Sequence, residues 1–345
     1  MTGTLSGTDP ETLPALAYYD EAHWARDVAA IWDKAWVLVG LASDFAAPGD
    51  YVTTELTGRP IMVVKGEDGV IRAFHNVCRH RASPLLLEPA GNAQKLVCPY
   101  HSWRYGFDGA LLNAPSMRCD KSAFGLFPLQ CQSWRGLVFV SVAPELPLDA
   151  WLADISGSAL RYPLEEMKLA RRFTVSGDVN WKTYADNYAE AWHIPTIHPG
   201  LNASIDMASY SIETVGDTVQ IHKAAARDGG VTDGLWVWRL PGLFINMYNW
   251  GMNVAQLEPV GPRKMRLTYR YLLTEIDEAK RAEREALIDW GYQIAKEDLE
   301  ICHRVQRNLE AGIYDTGRLS RVFEGGVIQF QDMVRAAYSK LSRAA

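Results

Sequence analysis

Hydrophobic positions along the chain follow two different spacings, which predict a short helical region followed by many strands. Between residues 19 and 36, apolar side chains recur at the spacing of one helix face: Trp24, Val28, Ile31 and Trp32. Beyond residue 36, short apolar runs alternate with Gly-Asp, Thr-Gly and Glu-Asp-Gly turns, as in antiparallel strands. Strands are predicted at residues 37–41, 51–56, 61–64, 70–74 and 136–142. Strands at this density predict a small antiparallel sandwich or barrel.

The second half of the chain predicts one larger antiparallel sheet flanked by helices. Strand patterns occur at residues 172–177, 209–223, 235–248, 252–258 and 264–275, and helical patterns at 277–311, at 325–341 and from 180 towards 193. The proline-containing residues 143–170 lack a strong period and predict a domain junction. The expected fold is α+β, with an all-β domain at 45–150 and a sheet-and-helix domain at 151–345. Residues 1–44 are expected to form an arm and a helix that pack on the second domain.

Composition narrows the classes of function to consider. The chain has 345 residues and a formal charge of −6, which argues against nucleic acid as a partner. The sequence shows neither a secretory signal pattern nor an apolar run of membrane-spanning length, so we expect a cytoplasmic protein without membrane association. Five cysteines, an odd number, fit a reducing compartment in which Cys and His hold metal. Cys119, Cys131 and Cys302 have no ligand-like partners and are expected to be buried free thiols.

Four potential metal ligands lie in two short segments of the all-β region. One residue separates Cys78 from His80, two separate Cys98 from His101, and seventeen lie between the pairs. Two thiolates and two imidazoles suit a two-iron cluster in which histidines replace two cysteines on one iron. A structural zinc site is the alternative, because the same side chains satisfy tetrahedral zinc. Zinc loops usually place two to four residues between paired ligands, so the single residue after Cys78 favours iron.

The residues around these ligands resemble the two cluster loops of Rieske iron–sulfur proteins. The resemblance covers residues 74–81 (FHNVCRHR) and 98–103 (CPYHSW). It implies that Cys78 and Cys98 hold one iron of a [2Fe-2S] cluster, and that His80 and His101 hold the other.

Three positions in the loops refine this resemblance. Tyr100 stands where the respiratory type of Rieske protein has a cysteine, which implies the oxygenase type. Ala82 and Ser102 stand where glycine is usual in the family. Both replacements are small, so these departures concern the local backbone of the loops and not the presence of the cluster.

A second candidate metal site lies in residues 186–198. His193 and His198 are five residues apart, so on a regular helix their side chains would point about 140° away from each other. Pro195 lies between them and is expected to end or distort the helix, which lets both imidazoles converge. Taken alone, two histidines near a helix end are more often surface or core residues than metal ligands.

Together with the Rieske-like loops, this segment resembles the iron motif of the catalytic subunits of Rieske non-haem iron oxygenases. The resemblance extends over nearly the whole chain and rests on Asn180-Trp181, Asp186-Asn187-Tyr188, Glu190, His193 and His198. It implies a helix-grip-like catalytic domain in which His193, His198 and a carboxylate hold mononuclear Fe(II) and leave positions open for oxygen. Asp298 is the best match for that carboxylate, with Glu297 and Glu300 as rivals on the same predicted helix.

The resemblance also gives roles to two acids near the histidines. In the family, an acid three residues before the first iron histidine links it to a cluster histidine of the neighbouring subunit. Here Glu190 would link His193 to His101. The family usually has aspartate there, and glutamate is associated with members that oxidise quaternary ammonium compounds. Asp186 is expected beside the iron ligands, with a helix-start cap as the alternative.

The resemblance implies a terminal oxygenase component that uses O2 and two electrons. We favour monooxygenation, as hydroxylation or N-demethylation, of a small cationic or carboxylated substrate, with quaternary ammonium compounds as one candidate class. The candidate pocket residues are Trp236, Trp238, Phe244, Tyr248 and Trp250, because an aromatic cage suits a cation, although aromatic residues in a sheet are usually core. The alternatives are an aromatic-ring-hydroxylating dioxygenase that forms cis-diols and a Rieske electron carrier.

The electrons are expected to come from another protein. No G-x-G-x-x-G follows a predicted strand, so the sequence offers no evident site for nicotinamide or flavin. A separate NAD(P)H-dependent reductase or a ferredoxin is therefore expected. The resemblance further implies a homotrimer in which electrons cross from the cluster of one subunit to the iron of the next.

Overall fold

The computed structural model describes residues 8–155, 160–228 and 233–344, which form two compact units. Residues 32–151 form one, here called the β unit, and residues up to 31 together with those from 152 form the other, the α+β unit. The helices are α1 (Glu21–Asp27), α2 (Leu148–Trp151), α3 (Trp181–Tyr188), α4 (Ile194–Ile197), α5 (Pro199–Ser204), α6 (Arg281–Glu310) and α7 (Gly325–Ala344). The strands are β1 (Val37–Leu41), β2 (Asp50–Leu56), β3 (Arg59–Lys65), β4 (Ile71–His75), β5 (Ala90–Asn92), β6 (Leu96–Val97), β7 (Arg104–Tyr105), β8 (Leu111–Asn113), β9 (Pro128–Trp134), β10 (Leu137–Ser141), β11 (Lys168–Gly177), β12 (Ser211–Val215), β13 (Val219–Ala224), β14 (Gly234–Arg239), β15 (Leu243–Tyr248), β16 (Gly251–Gly261) and β17 (Lys264–Leu273).

The β unit contains two sheets, and the smaller one adjoins the segments that carry the candidate cluster ligands. In the described residues, the larger sheet has the order β1-β10-β9-β4-β3-β2-β5, and the smaller has the order β6-β7-β8. The core between them includes Met62, Phe74, Trp103 and Tyr105 together with Cys78 and Cys98. The all-β first domain that the sequence predicts is confirmed.

The boundary between the parts lies earlier than the sequence predicts. Strand β1 pairs with β10, with Val37 opposite Val140, and all five of its residues are buried. A strand so apolar needs a sheet partner, and that partner belongs to the β unit. The structure therefore places the division after residue 31, whereas the sequence suggested that residues up to 44 pack on the second domain.

The α+β unit is built on one antiparallel sheet with helices packed against it. Its strand order within the described chain is β11-β17-β16-β15-β14-β13-β12. Residues 251–259 of β16 are all buried, because β16 lies inside this sheet, beneath the helical layer. Asn180 caps α3 by accepting a hydrogen bond from the Lys182 amide at 2.9 Å. The expected large antiparallel sheet flanked by helices is confirmed.

A buried carboxylate fixes the N-terminal helix to this unit. Asp27, on α1, accepts hydrogen bonds from the indole of Trp181 at 3.0 Å, from the ammonium of Lys182 and from the hydroxyl of Tyr338. Asp27 and Lys182 are fully buried, so each charge depends on the other for compensation. Burial lowers the pKa of Lys182, and the charge of Asp27 opposes that shift. The helix from residue 21 is thereby tied to both α3 and α7.

Several predicted elements are divided in the structure. The helix predicted over residues 19–36 is α1 followed by a π-helical turn at Val28–Trp32. The helix predicted from 180 towards 193 ends at Tyr188, and α4 starts only after His193. Residues 209–223 and 235–248 each form a pair of strands and not a single one. In the part of the chain that is described, no helix combines the length and apolar character needed to cross a membrane.

Candidate metal centres and substrate cavity

The two Rieske-like loops have the same backbone geometry. In each, the amide four residues after the cysteine donates to the cysteine carbonyl, and the cysteine amide donates to the carbonyl five residues on. The bonds are Ala82 N to Cys78 O at 3.0 Å, Cys78 N to Ser83 O at 2.8 Å, Ser102 N to Cys98 O at 3.0 Å and Cys98 N to Trp103 O at 2.8 Å. Two unrelated stretches of sequence thus present their cysteines from equivalent turns.

The four side chains at the loop tips fit a metal cluster. Cys78 and Cys98 are buried free thiols. The rings of His80 and His101 lie 4.6 Å apart, centre to centre. The Nδ1 atoms of both rings are buried and have no hydrogen-bond partner among the described residues. A buried nitrogen without a partner is costly, and coordination by Nδ1 to an iron would satisfy both rings. The residues present therefore fit the [2Fe-2S] group.

Neighbouring aromatic residues complete the loops. The ring of Trp103 stacks on His80 at 5.0 Å between centres. The hydroxyl of Tyr105 lies 3.4 Å from the sulfur of Cys78 and accepts a hydrogen bond from the Arg79 amide at 3.0 Å. Trp103 ends the second Rieske-like segment, and Tyr105 follows two residues later; neither was given a role from the sequence.

Ala82 and Ser102 keep the backbone conformation that glycine would adopt. Their φ angles are 59° and 60°, in the left-handed region that side chains with a Cβ disfavour. The departures from the family pattern therefore leave the loop path unchanged.

Replacing Ala82 with glycine should stabilise the β unit. Relief of the left-handed conformation outweighs the added chain entropy by about 0.5–1 kcal/mol in the free energy of unfolding. Chemical denaturation of the full chain measures this difference. The matched control is Ala123→Gly, an exposed position with ordinary φ, which should lower stability instead. A loss of stability in Ala82→Gly as large as in the control would contradict the prediction.

The second metal centre joins two histidines from one segment to a carboxylate from a distant helix. Nε2 of His198 lies 2.9 Å from Oδ1 of Asp298, and Nε2 of His193 lies 3.6 Å from the same oxygen. The ligand atoms of all three residues lie within 4.8 Å of one another. The chain between α3 and α4 is not helical, and α4 begins with Pro195 in its first turn, so the two imidazoles converge. Two histidines and one carboxylate are the donor set of non-haem Fe(II) sites, and this group fits it.

The orientation of α6 distinguishes the three rival acids. Asp298 lies on the buried stripe of this helix, with Ala295, Leu299 and Cys302. Glu297 instead places Oε2 2.8 Å from Nδ1 of His198. Glu300 is exposed and forms an ion pair with Arg304. Only Asp298 of the three faces both Nε2 atoms.

Glu190 contacts His193 through both its side chain and its backbone. Oε1 lies 2.5 Å from Nδ1 of the ring, and Oε2 accepts hydrogen bonds from the amides of Trp192 and His193. This geometry provides one side of the expected link, from Glu190 to the iron histidine. Asn187, one of the residues that carry the family resemblance, donates to Oδ1 of Asp298 at 2.6 Å, a role that the sequence did not indicate.

Asp186 lies elsewhere than the sequence analysis expected. Its carboxylate accepts hydrogen bonds from the hydroxyl of Tyr18 at 2.6 Å and from the amide of Gln331 at 3.0 Å, and not from the metal-site histidines. Burial raises its pKa to about 6. Successive residues of α3 point in different directions, so Asn187 faces the metal group while Asp186 faces α7 and the N-terminal segment.

A cavity of about 130 Å³ opens at the metal group. Its lining includes His193, His198 and Asp298, and among the described residues nine aromatic side chains. These are Tyr184, Tyr188, Tyr210, Trp236, Tyr248, Trp250, Tyr269, Tyr271 and Trp290. Burial raises the pKa of Tyr188 and of Tyr271, and burial together with the charge of Glu190 raises that of Tyr210, so these phenols are neutral.

Three of the five predicted pocket aromatics line the cavity, and two do not. Trp236, Tyr248 and Trp250 are lining residues. Trp238 and Phe244 form a cross-strand pair and are almost completely buried. The ring of Tyr188 covers this pair, at 5.5 Å from Trp238 and 4.4 Å from Phe244. Trp238 and Phe244 are therefore core residues below the floor of the cavity, and their assignment to the pocket is corrected.

The polar side chains of the cavity are bonded to one another. The hydroxyl of Tyr188 donates to Oδ1 of Asn246 at 3.2 Å, and Nδ2 of Asn246 donates to Oδ1 of Asn253 at 2.9 Å. The hydroxyl of Tyr210 lies 2.9 Å from Nδ1 of His222. Burial lowers the pKa of His222 to about 3, so its imidazole is neutral near pH 7.

Two family models match the chain. The Rieske [2Fe-2S] domain matches residues 35–134, and the ring hydroxylating alpha subunit (catalytic domain) matches residues 164–232 and 213–340. The fold and the two metal centres agree with both matches, and the chain belongs to the Rieske non-haem iron oxygenases, as a catalytic subunit. Its cofactors are a Rieske [2Fe-2S] cluster and a mononuclear iron, with O2 as co-substrate. A catalytic domain of this kind excludes the interpretation as a simple electron carrier.

Individual relatives define the neighbourhood more closely. The carnitine monooxygenase oxygenase subunit of Acinetobacter pittii (strain PHEA-2) is 30% identical, over 94% of this chain and 94% of its own length. The chloroplastic choline monooxygenase of Beta vulgaris is 28% identical, over 93% of this chain and 76% of its own. The structure of the quaternary ammonium Rieske monooxygenase CntA in complex with L-carnitine matches with a TM-score of 0.83, at 28% identity and over 96% of each chain. These similarities support monooxygenation over the dioxygenase alternative.

Proposed function

We propose that this chain oxidises a quaternary ammonium compound in the aromatic-lined cavity. The observation that carries the proposal is that His193, His198 and Asp298 open into a cavity whose walls are largely aromatic faces. When an ammonium group is transferred from water to the face of an aromatic ring, each well-placed cation–π contact stabilises the complex by about 2 kcal/mol. The carboxylate of Glu190 also lines the cavity and adds a favourable field for a cation.

The metal-site residues have distinct tasks in this proposal. His193, His198 and Asp298 hold the iron, which supplies reductive activation of O2. Glu190 and Glu297 each accept a hydrogen bond from Nδ1 of one histidine, which leaves its Nε2 to face the metal. Both carboxylates thereby fix the tautomer and orientation of the rings before substrate enters.

The proposed reaction balances as a monooxygenation. One atom of O2 enters a C–H bond next to the quaternary nitrogen, and the other leaves as water with two electrons and two protons. If the oxidised carbon is an N-methyl group, the product loses formaldehyde and leaves a tertiary amine. A separate reductase supplies the electrons, as in other Rieske oxygenases.

The homotrimer expected for the family is part of the proposal. Trp192, next to His193, is 59% exposed and stacks on Phe323, which is 53% exposed, at 4.8 Å between ring centres. Val322 extends this apolar patch. A neighbouring copy of the chain would bury this exposed apolar surface beside Glu190. A cluster histidine of that copy would then lie close enough to complete the Glu190 link.

Oxygen uptake tests the proposed function. With a suitable reductase, trimethylammonium compounds should stimulate O2 consumption matched by formaldehyde or by a hydroxylated product, because the cavity is suited to a cation. Benzoate and naphthalene should give no more than about a tenth of that rate, since neutral or anionic arenes gain nothing from the cation–π faces. His193→Ala serves as the control without a working iron site. Formation of a cis-diol from an arene, with no response to any ammonium compound, would overturn the proposal.

A further inference from the structure

The charged side chains around the cavity are all acidic among the described lining residues. Among the described lining residues none is a lysine or arginine, whereas Glu190 and Asp298 contribute carboxylates. The segments outside the description, residues 1–7, 156–159, 229–232 and 345, contain no lysine or arginine either. These segments therefore add no lysine or arginine side chain to the cavity.

Two basic side chains at or beside the cavity, Arg284 and His222, do not fill this role. Arg284 lies over the outer part of the aromatic wall, with its guanidinium 5.7 Å from the ring centre of Trp250, and it pairs with Glu283 at 3.2 Å. His222 lines the cavity but is neutral, because it is buried, and its Nδ1 faces the hydroxyl of Tyr210. Neither side chain offers a positive charge inside the cavity.

A carboxylate placed here would be poorly compensated. Transfer of an ionised carboxylate from water into a largely apolar cavity is unfavourable unless a cation or several strong donors receive it. Among the described lining residues no side chain is a cation, and a metal ion held by His193 and His198 would already have the carboxylate of Asp298. A substrate carboxylate at the other end of the molecule would therefore lose hydration without a partner.

An uncharged polar tail meets better partners. Tyr248 accepts a hydrogen bond from Nδ2 of Asn253 at 3.5 Å, so its own proton is left to donate. Phenol and amide groups of this kind can bind an alcohol without a net charge on either side. They cannot neutralise an anion.

We propose, on the basis of the proposed function, that the cavity selects quaternary ammonium compounds whose remaining chain is uncharged and excludes those that carry a carboxylate. The aromatic walls bind the ammonium group, and the absence of a lysine or arginine from the described lining sets the preference between tails. The substrate class is an ammonium alcohol or a similar monocation.

A matched set of ligands tests this selection by calorimetric binding to the full chain with both metal centres loaded, under anaerobic conditions. Choline and glycine betaine share the trimethylammonium group and differ in the tail. Choline should bind at least about tenfold more tightly, because glycine betaine must also transfer its carboxylate from water into the cavity. The neutral isostere 3,3-dimethyl-1-butanol should bind about tenfold more weakly than choline, because it lacks the cation.

A variant that adds a charge provides the reciprocal test. Leu287, on α6, lines the cavity and is only half-buried, so a longer side chain can be accommodated there. Leu287→Arg should shift the ratio of the two dissociation constants at least about tenfold towards glycine betaine. Leu287→Gln, polar and uncharged, is the matched control and should leave the ratio within about twofold of the original.

The outcomes separate this inference from the function on which it rests. If glycine betaine binds as tightly as choline or more tightly, the tail selection is wrong, while the quaternary ammonium function stands. If neither compound binds, or if the neutral isostere binds as well as choline, the proposed function itself fails. If Leu287→Gln shifts the ratio as much as Leu287→Arg, charge does not set the preference.

Discussion

Replacing Asp298 with alanine should abolish substrate-dependent oxygen uptake, with a fall in turnover of at least about 1000-fold. Asp298 is the one carboxylate that faces both Nε2 atoms of the histidine pair, at 2.9 and 3.6 Å. Without it, two imidazoles remain, and they cannot retain Fe(II) in the face of exchange with water. Iron content should fall from about three to about two atoms per chain, because the cluster keeps its own two. The EPR signal of the reduced Rieske cluster should be unchanged.

Two neighbouring acids on α6 provide matched controls. Glu300 is exposed and bonded to Arg304, so Glu300→Ala should keep full iron content and turnover. Glu297 contacts Nδ1 of His198, so Glu297→Gln should weaken iron binding by about 10- to 100-fold without abolishing it. If Asp298→Ala keeps its mononuclear iron while Glu297→Gln loses it, the ligand assignment is wrong.

The sequence alone does not determine which of these three acids is the iron ligand. Spacing along a helix predicts that residues 297, 298 and 300 point in different directions, but it does not say which direction faces the metal. The buried stripe of α6 includes Ile288, Ala295 and Leu299, and Asp298 lies within it. An acid within an apolar stripe is the signal that favours Asp298, and the structure adds the distances.

The pocket residues show a second limit of prediction from sequence. Alternation along a strand predicts that Trp236 and Trp238 share one face of the sheet, and they do. It does not predict where a helix covers that face. Tyr188 and Phe330 cover Trp238, at 5.5 Å each, while Trp236 stays in the cavity wall. Contacts between distant segments determine whether an aromatic residue lies in the core or lines the pocket. A local sequence pattern does not predict such contacts.

The fold was easier to predict from the sequence than the site, because the patterns that indicate strands and turns are local. The strands of the β unit follow short apolar runs between turns, and predicted and observed boundaries of β1 coincide. The boundary between the two units was harder to predict, because it depends on the pairing of β1 with β10, about a hundred residues later. The same reason explains Asp186, whose partners Tyr18 and Gln331 come from both ends of the chain.

Trimers assembled from two inactive variants should recover about a quarter of wild-type activity, if electrons cross between copies. One variant, Cys98→Ser, loses the cluster but keeps the iron site. The other, Asp298→Ala, keeps the cluster but loses the iron. With equal co-expression, about three quarters of cyclic trimers contain both variants, and each of these has one working junction of the three possible. Separately purified variants should be inactive.

Transfer within a single chain gives a different result. No mixture could then be active, because each chain lacks one of the two centres. Size-exclusion chromatography of each variant establishes that trimers form, and His193→Ala can replace Asp298→Ala if that variant assembles poorly. A mixture with no activity, in trimers of confirmed composition, would eliminate the route between copies.

Glu190→Gln identifies the residue at the junction. The substitution retains the size of the side chain but removes the charge that pairs with Nδ1 of His193, 2.5 Å from the carboxylate. Iron content should persist, and at saturating substrate the reoxidation of the reduced cluster by O2 should slow by about 10- to 100-fold. Glu213→Gln, which removes an exposed carboxylate bonded to Lys223, is the matched control and should leave that rate unchanged. The rates are compared at equal iron content and with an unchanged EPR signal of the cluster, so a slower reoxidation reflects the loss of the carboxylate beside His193. An unchanged rate would leave Glu190 as a residue that merely orients His193.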